Sequence, residues 1–126
     1  MVAVAVVAIL ASVAMPNYTA YVQRSKVPPA LDGLSSFATR MEQRYQDTGS
    51  YGSPACGATL PTVANFAITC TTSAAGQAYT ATADGSGTMS GFRYSIDQTG
   101  TRVTLAHPKG VPAASCWSTK GKVCDT

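Results

Sequence analysis

The first 26 residues place the strongest constraint on how this chain can fold. They read MVAVAVVAILASVAMPNYTAYVQRSK, with no charge before Arg24 and with Ser12 as the only hydroxyl among the first 15 positions. A helix that is apolar on every side has to be covered either by lipid or by other protein. The rest of the chain is polar and contains cysteines, so the sequence predicts an apolar stalk at 1–26 and a globular head at 27–126.

The stalk is compatible with three interpretations, which its residues alone leave open. A transmembrane helix needs roughly 20 mainly apolar residues, and the apolar run continues without a charge as far as Gln23. A cleaved signal peptide has small residues at its processing site, as at 12–14, but it opens with a basic region, which is absent here. The third interpretation is a stalk that lies in the membrane first and then packs against copies of itself, because small residues such as its alanines let helix backbones approach closely.

Prolines predict two irregularities in this first helix. Within a helix, Pro16 would remove a hydrogen bond and clash with the preceding turn, at a cost of roughly 3 kcal/mol. Neighbouring helices in a membrane or a bundle can satisfy the backbone groups that such a proline frees. A second interruption is predicted at Val27-Pro28-Pro29, because a residue that precedes proline disfavours the helical conformation.

This N-terminal stretch resembles the first helix of the type IV pilins. Pro16 matches the proline that loosens the helix in that family, and Tyr18, Tyr21 and the Arg24-Ser25 pair match the aromatic and basic residues beyond it. The resemblance continues through the MEQRYQDTGSYG segment and, more loosely, includes the terminal CWSTKGKVC. Mature pilins open with a methylated Phe followed by FTLIEL-like residues, so we expect the numbered chain to start a few residues into the mature protein.

The resemblance implies a structural protein that is assembled from many copies. We expect a helical filament built with the pilus assembly machinery, with the subunit in the bacterial inner membrane before assembly and in an extracellular pilus afterwards. Such filaments serve adhesion, twitching motility or DNA uptake. The residues expected to form the assembly helix are Val2, Val6, Ile9, Leu10, Val13 and Pro16.

The head is predicted to be an α+β structure. Apolar residues at spacings of three and four from Leu31 to Tyr45 predict an amphipathic helix, and Gly49 is suited to its C-cap. Alternating apolar residues then predict four antiparallel strands. Their expected bounds are Asn65–Cys70, Gln77–Ala83, Phe92–Ile96 and Arg102–Ala106. The fold class is therefore a long N-terminal hydrophobic helix packed on a four-stranded antiparallel sheet, as in the type IV pilin fold.

Four cysteines allow three disulfide pairings. The separations favour Cys56–Cys70 and Cys116–Cys124, because each of these pairs closes a short local loop. A zinc site is the rival interpretation, but the chain has no CxxC pair and only one histidine. Disulfides imply that the head resides in an oxidising compartment. We expect no metal and no cofactor.

The sequence offers little to support catalysis. His107 is the only histidine, no GxSxG motif is present, and disulfide formation would leave no free thiolate. Gly85-Ser86-Gly87 does not continue as a phosphate-binding fingerprint. We therefore expect neither an enzyme nor a protein with a small-molecule substrate.

The basic C-terminal end suggests a second function. Residues 1–100 hold five basic and five acidic side chains, so the net charge of +3 comes entirely from residues 101–126. Cations beside an aromatic ring can hold a nucleic-acid backbone, and some minor pilins of competence systems bind DNA. The candidate DNA contacts are Lys109, Trp117, Lys120 and Lys122. The alternative is a solvated loop whose tryptophan covers the sheet edge or the Cys116–Cys124 bridge.

Two further classes fit the chain less well. A type II secretion pseudopilin often binds calcium near its C-terminus, where this chain offers only Asp125. The other is a single-pass membrane protein with an extracytoplasmic head.

Overall fold

The N-terminal part of the fold is one long helix. The computed structural model describes the backbone of residues 2–53 and 55–125, and the side chains of these residues except 2–3, 10–20 and 74. Helix α1 spans Val2–Thr48. At its end Gly49 has a φ of 78°, and its N–H donates to the carbonyl of Tyr45 at 2.7 Å, which confirms the predicted glycine C-cap.

The predicted interruption at Val27-Pro28-Pro29 is wrong, because α1 continues through these residues. The two prolines cannot donate to the carbonyl groups of Arg24 and Ser25, so two helical hydrogen bonds are lost. Val27 and Ala30 are both fully buried against the head. This packing holds the prolines within the helix and outweighs a preference that acts only on the local backbone.

The sheet confirms the predicted strands and their antiparallel arrangement. The strands are β1 (Phe66–Ser73), β2 (Ala78–Gly85), β3 (Arg93–Asp97) and β4 (Arg102–Ala106). They lie in the order β1-β2-β3-β4, and each pairs antiparallel with the next along the chain. The structure therefore has the predicted architecture of a helix on a four-stranded sheet.

The core lies between α1 and one face of the sheet. The helix contributes a stripe of fully buried side chains, Val27, Ala30, Leu34, Phe37 and Met41. Their spacing of three and four residues keeps them on one side of the helix. The sheet contributes alternate residues of its strands, Phe66, Ile68, Tyr79, Ala81, Ala83, Tyr94 and Ile96. Among the described residues, no helix is both long and apolar enough to cross a bilayer.

Two disulfides fix the loops that flank the sheet. Cys56 is bonded to Cys70 of β1 across a separation of 14 residues, and Cys116 is bonded to Cys124 across 8 residues. These bonds confirm both predicted pairings. The zinc interpretation does not apply, because all four cysteines are in the disulfides.

Buried tyrosines at the edge of the core hold their protons strongly. Burial, followed by the hydrogen bond that its hydroxyl donates to Glu42, raises the pKa of Tyr51 to about 12. Burial and the charge of a neighbouring tyrosinate raise the pKa of Tyr79 to about 12. The ring centroids of Tyr51 and Tyr79 are 4.8 Å apart, so ionisation of Tyr51 disfavours ionisation of Tyr79.

The free energy of unfolding is expected to fall as the pH rises above 10. A tyrosine in the unfolded chain ionises near pH 10, whereas Tyr51 and Tyr79 keep their protons to about pH 12 in the fold. Their contribution is fully present below pH 10, and about 1.4 kcal/mol per pH unit and group is lost between the two pKa values. Urea unfolding on either side of pH 10 measures the loss. Tyr51→Phe should make the fall of the unfolding free energy with pH shallower. Tyr21→Phe, which changes an exposed ring, should leave that fall unchanged. Equal slopes in the two variants would contradict the assignment to Tyr51.

Candidate nucleic-acid interface

The C-terminal segment is anchored to β3 and β4 by buried side chains. Trp117 is 8% exposed, and its Nε1–H donates to the carbonyl of Ser95 at 2.8 Å. The backbone N–H of the fully buried Ser118 donates to Thr104 Oγ1 at 2.9 Å. The hydroxyl of Tyr94 donates to the carbonyl of Ser118 at 2.7 Å. These bonds order a segment that has no regular secondary structure.

The loop beyond this anchor turns around the hydroxyl of Ser118. Its Oγ accepts the backbone N–H groups of Lys120 at 3.1 Å and Gly121 at 3.0 Å, and it donates to the carbonyl of Val123. Serine commonly stabilises tight turns through such local bonds. The hydroxyl therefore fixes the backbone that carries Lys120.

Two glycines let the loop approach the segment that follows β4. Gly110 and Gly121 have φ values of 99° and 122°, which side chains rarely adopt. A Cβ on Gly121 would lie 2.9 Å from Lys109 Cβ, and a Cβ on Gly110 would lie 2.7 Å from Lys122 Cε. Only residues without side chains allow this approach, which brings Lys109 and Lys122 onto adjacent segments.

Three cations from separate parts of the chain meet at one cleft of about 300 Å³. Arg24 comes from α1, Lys109 follows β4, and Lys120 lies on the loop that the Cys116–Cys124 disulfide closes. We call this site the basic cleft. Its lining residues are Gln23, Arg24, Phe92, His107, Pro108, Lys109, Thr119 and Lys120. Among the described residues, no acidic side chain lines it.

His107 joins the two segments that carry the lysines. Its Nδ1 accepts the backbone N–H of Lys109 at 3.0 Å, so the proton of the neutral ring lies on Nε2, which donates to the carbonyl of Thr119 at 3.0 Å. The ring also packs edge-on against Phe92, with centroids 4.7 Å apart. His107 is therefore a positioning residue for Lys109 and Lys120.

The structure brings together only part of the predicted DNA contact. Lys109 and Lys120 share the basic cleft, whereas the side chain of Lys122 packs against Gly110 beside it. The predicted stacking role of Trp117 is not supported, because its ring is buried and the Arg102 guanidinium carbon lies 4.5 Å from the ring centroid. Trp117 instead covers the sheet, as the alternative interpretation expected.

Sequence reasoning did not assign Arg24 to this site. Arg24 lies 85 positions before Lys109 in the chain, and only the packing of α1 on the sheet brings the two residues to one cleft. The available signal was the position of Arg24 as the first charge after the apolar stretch. Phe92 and His107 also join this site only through the fold, because local sequence indicates no more than a strand at Phe92 and a single histidine at His107.

Several side chains on the N-terminal part of α1 are exposed. Val6 is 51% and Ile9 is 64% exposed, as are the apolar residues Val4 at 73%, Val7 at 64% and Tyr21 at 70%. The other predicted assembly residues, Val2, Leu10, Val13 and Pro16, have side chains outside the described residues.

Removing the Cys116–Cys124 disulfide is expected to impair the basic cleft. In the chain-entropy model a loop of this length is stabilised by about 2–3 kcal/mol, and the loop carries Lys120. The double variant Cys116→Ser/Cys124→Ser should lose that stability and also bind DNA more weakly while still folded. The matched variant Cys56→Ser/Cys70→Ser should lose about 3 kcal/mol with little change in DNA affinity. Denaturant unfolding and DNA titration measure the two effects, and equal loss of affinity in both variants would contradict the prediction.

The fold is that of the type IV pilins. The structure is similar to a type IV pilin from Shewanella oneidensis, with a TM-score of 0.53, 24% identity, and coverage of 71% of this chain and 90% of that pilin. It is also similar to the minor pilin PilV of Neisseria meningitidis, with a TM-score of 0.61, 17% identity, and coverage of 75% and 97%. At these identities the two structures support the fold alone.

The family model described as "Type IV minor pilin ComP, DNA uptake sequence receptor" matches residues 16–101, and the chain belongs to this family. The chain is therefore a type IV pilin, a subunit of a pilus, and its family is one of structural pilins rather than of enzymes. The matched residues include Arg24 and end before Lys109. No curated protein matches the chain in sequence.

Proposed function

We propose that this pilin is a minor pilus subunit that binds DNA through the basic cleft. The observation that carries the proposal is the convergence of Arg24, Lys109 and Lys120 from three segments on one cleft. Lysine and arginine bind DNA by neutralising phosphates and releasing their counterions. The description of the family as a DNA uptake sequence receptor supports the same function.

Hydrogen bonds within the fold hold the backbone of Lys109 and Lys120 in place. The turn around Ser118 fixes the backbone of Lys120, and His107 joins the segments of Lys109 and Thr119. The nearby carboxylate of Asp125 accepts two hydrogen bonds from Thr119, at 2.8 and 3.1 Å, which satisfy its Oδ1 within the loop. Cations whose backbone is held in place lose less conformational freedom when they bind a phosphate.

The N-terminal part of α1 supports a second role in assembly. Val27 is the first fully buried residue among the described side chains, which supports a boundary between a stalk at 1–26 and a head at 27–126. Near the start of the helix Val4, Val6 and Val7 are 51–73% exposed. We propose that lipid of the inner membrane covers this surface before assembly, and that copies of the same helix cover it in an extracellular helical filament built by the pilus assembly machinery.

The salt dependence of DNA binding tests the proposed function. The full chain in detergent is titrated with a short duplex at several salt concentrations. Three phosphate contacts give an expected slope of about −2.7 for the logarithm of the binding constant against the logarithm of salt concentration. A pilin that serves only as a structural subunit would give no measurable binding, or binding that salt does not change.

A further inference from the structure

The basic cleft has a shape that contact with a duplex backbone does not require. Phosphates of double-stranded DNA lie on the outside of the helix, and cations on an open surface can reach them. Here the cations instead surround a concave space of about 300 Å³ with Phe92, His107 and Pro108 in its wall. A hollow of this size with apolar walls and a few polar groups is typical of a site for a small molecular group.

We propose that the basic cleft takes one unpaired nucleotide of DNA, with the base against His107 and Pro108 and the adjoining phosphates on Arg24, Lys109 and Lys120. This inference rests on the proposed DNA-binding function and names the part of the DNA that enters the site. Base stacking on aromatic side chains with cations along the backbone is the common way in which proteins hold single strands.

The ring of His107 is held rigidly at the wall of the cleft. Phe92 is 3% exposed and lies behind the half-buried His107, and the edge-on contact between them fixes the imidazole ring that faces the cleft. Both ring nitrogens of His107 are occupied by backbone groups, Nδ1 by Lys109 and Nε2 by Thr119. His107 therefore offers ring surface to a base rather than hydrogen-bonding groups that would select one base, so we expect affinity for an unpaired nucleotide with little sequence preference at that position.

A paired base cannot enter the cleft unless it leaves the stack. Extruding a base from a duplex costs a few kcal/mol, and this cost is least where the base is already unpaired. The cleft should therefore favour a single-stranded overhang, a frayed end or a single strand over a blunt duplex. Stacking of one base would strengthen binding by about tenfold.

The test compares two duplexes of one sequence, one blunt and one with a short overhang that carries 2-aminopurine at its unpaired end. Both are titrated against the full chain in detergent. We expect the overhang duplex to bind about tenfold tighter, and the fluorescence of 2-aminopurine to fall on binding because the base stacks. Equal affinities, or unchanged fluorescence at saturation, would overturn the proposal while DNA binding itself stands. Absence of binding to either duplex would refute the proposed function as well.

A variant that fills the cleft provides a second readout. Gln23 is half-buried on α1 and lines the cleft, where its Nε2 donates to the carbonyl of Thr88 at 3.1 Å. Gln23→Trp should reduce the ratio of overhang to blunt affinity to about one, whereas Gln23→Ala should keep the ratio above one because it leaves the space open. A general loss of DNA affinity lowers both affinities equally and leaves their ratio unchanged. Circular dichroism checks that both variants are folded. A ratio that Gln23→Trp leaves at its original value would place the unpaired base elsewhere and overturn the proposal.

Discussion

Replacing Arg24, Lys109 and Lys120 together with alanine is expected to lower the affinity for duplex DNA by about two orders of magnitude at 0.15 M salt. Each phosphate contact makes the binding constant vary as roughly the −0.9 power of the salt concentration, which is about fivefold per contact under these conditions. The slope of the salt dependence should fall towards zero in the triple variant, because the contacts that release counterions are gone. Fluorescence anisotropy with a labelled duplex measures both quantities.

Single variants of the same helix provide the matched control for this experiment. Arg24 and Arg40 are both exposed on α1, but only Arg24 lines the basic cleft. Arg24→Ala should weaken DNA binding by about fivefold and reduce the salt slope by about one, while Arg40→Ala removes the same charge and should change neither. Equal effects of the two variants would mean that binding depends on net charge and not on the basic cleft.

Replacing Val6 with aspartate is expected to abolish filaments. Val6 is 51% exposed on the apolar part of α1, which assembly would bury among other copies of the helix. A carboxylate in such an apolar interior costs about 2.5–3.5 kcal/mol per subunit on membrane-insertion scales, and the cost recurs at every subunit added. Electron microscopy of the sheared surface fraction should show no filaments, although immunoblotting still detects the subunit. Ile9→Asp should act in the same way.

Two controls separate an assembly defect from a general effect of charge. Val6→Leu keeps the surface apolar and should assemble normally. Thr71→Asp adds the same charge on an exposed position of β1, far from the apolar part of α1, and should also assemble. Filaments of normal length and number from the Val6→Asp variant would refute the proposed role of this surface.

Patterns within short segments predicted much of this fold. Alternation of apolar residues located all four strands, and in β1 and β2 it reflects one face packed in the core. In β4 the buried residue is instead Thr104, and Leu105 is 47% exposed. The spacing of the cysteines predicted both disulfides, since each closes a local loop. Gly49 ended the helix as expected, because its left-handed backbone is a local property.

Predictions failed where the outcome depended on contacts between distant residues. Pro28 and Pro29 disfavour a helix locally, but burial of Val27 and Ala30 against the sheet maintains it. Trp117 is buried because its indole N–H reaches the carbonyl of Ser95 on β3, a partner that the irregular terminal sequence does not indicate.

The basic cleft was also only partly predictable. The excess of lysines near the C-terminus indicated a basic loop, and this suggested Lys109 and Lys120 as contacts. Arg24 joins them only because a helix from the other end of the chain crosses the same side of the head. A site assembled from separate segments becomes visible only when the fold is known.

The two loops that are closed by disulfides also influence how copies of this protein can join. An open sheet ends in two strands whose free backbone groups can recruit further strands, which leads to uncontrolled polymerisation. Here a disulfide ties one loop to the outer strand β1 through Cys70, and Thr104 of the outer strand β4 donates to the carbonyl of Cys116 at 2.8 Å in the other. A side chain of each outer strand is thus tied to a disulfide-closed loop. We expect these loops to hinder the approach of a further strand, which leaves the helix as the route by which copies join.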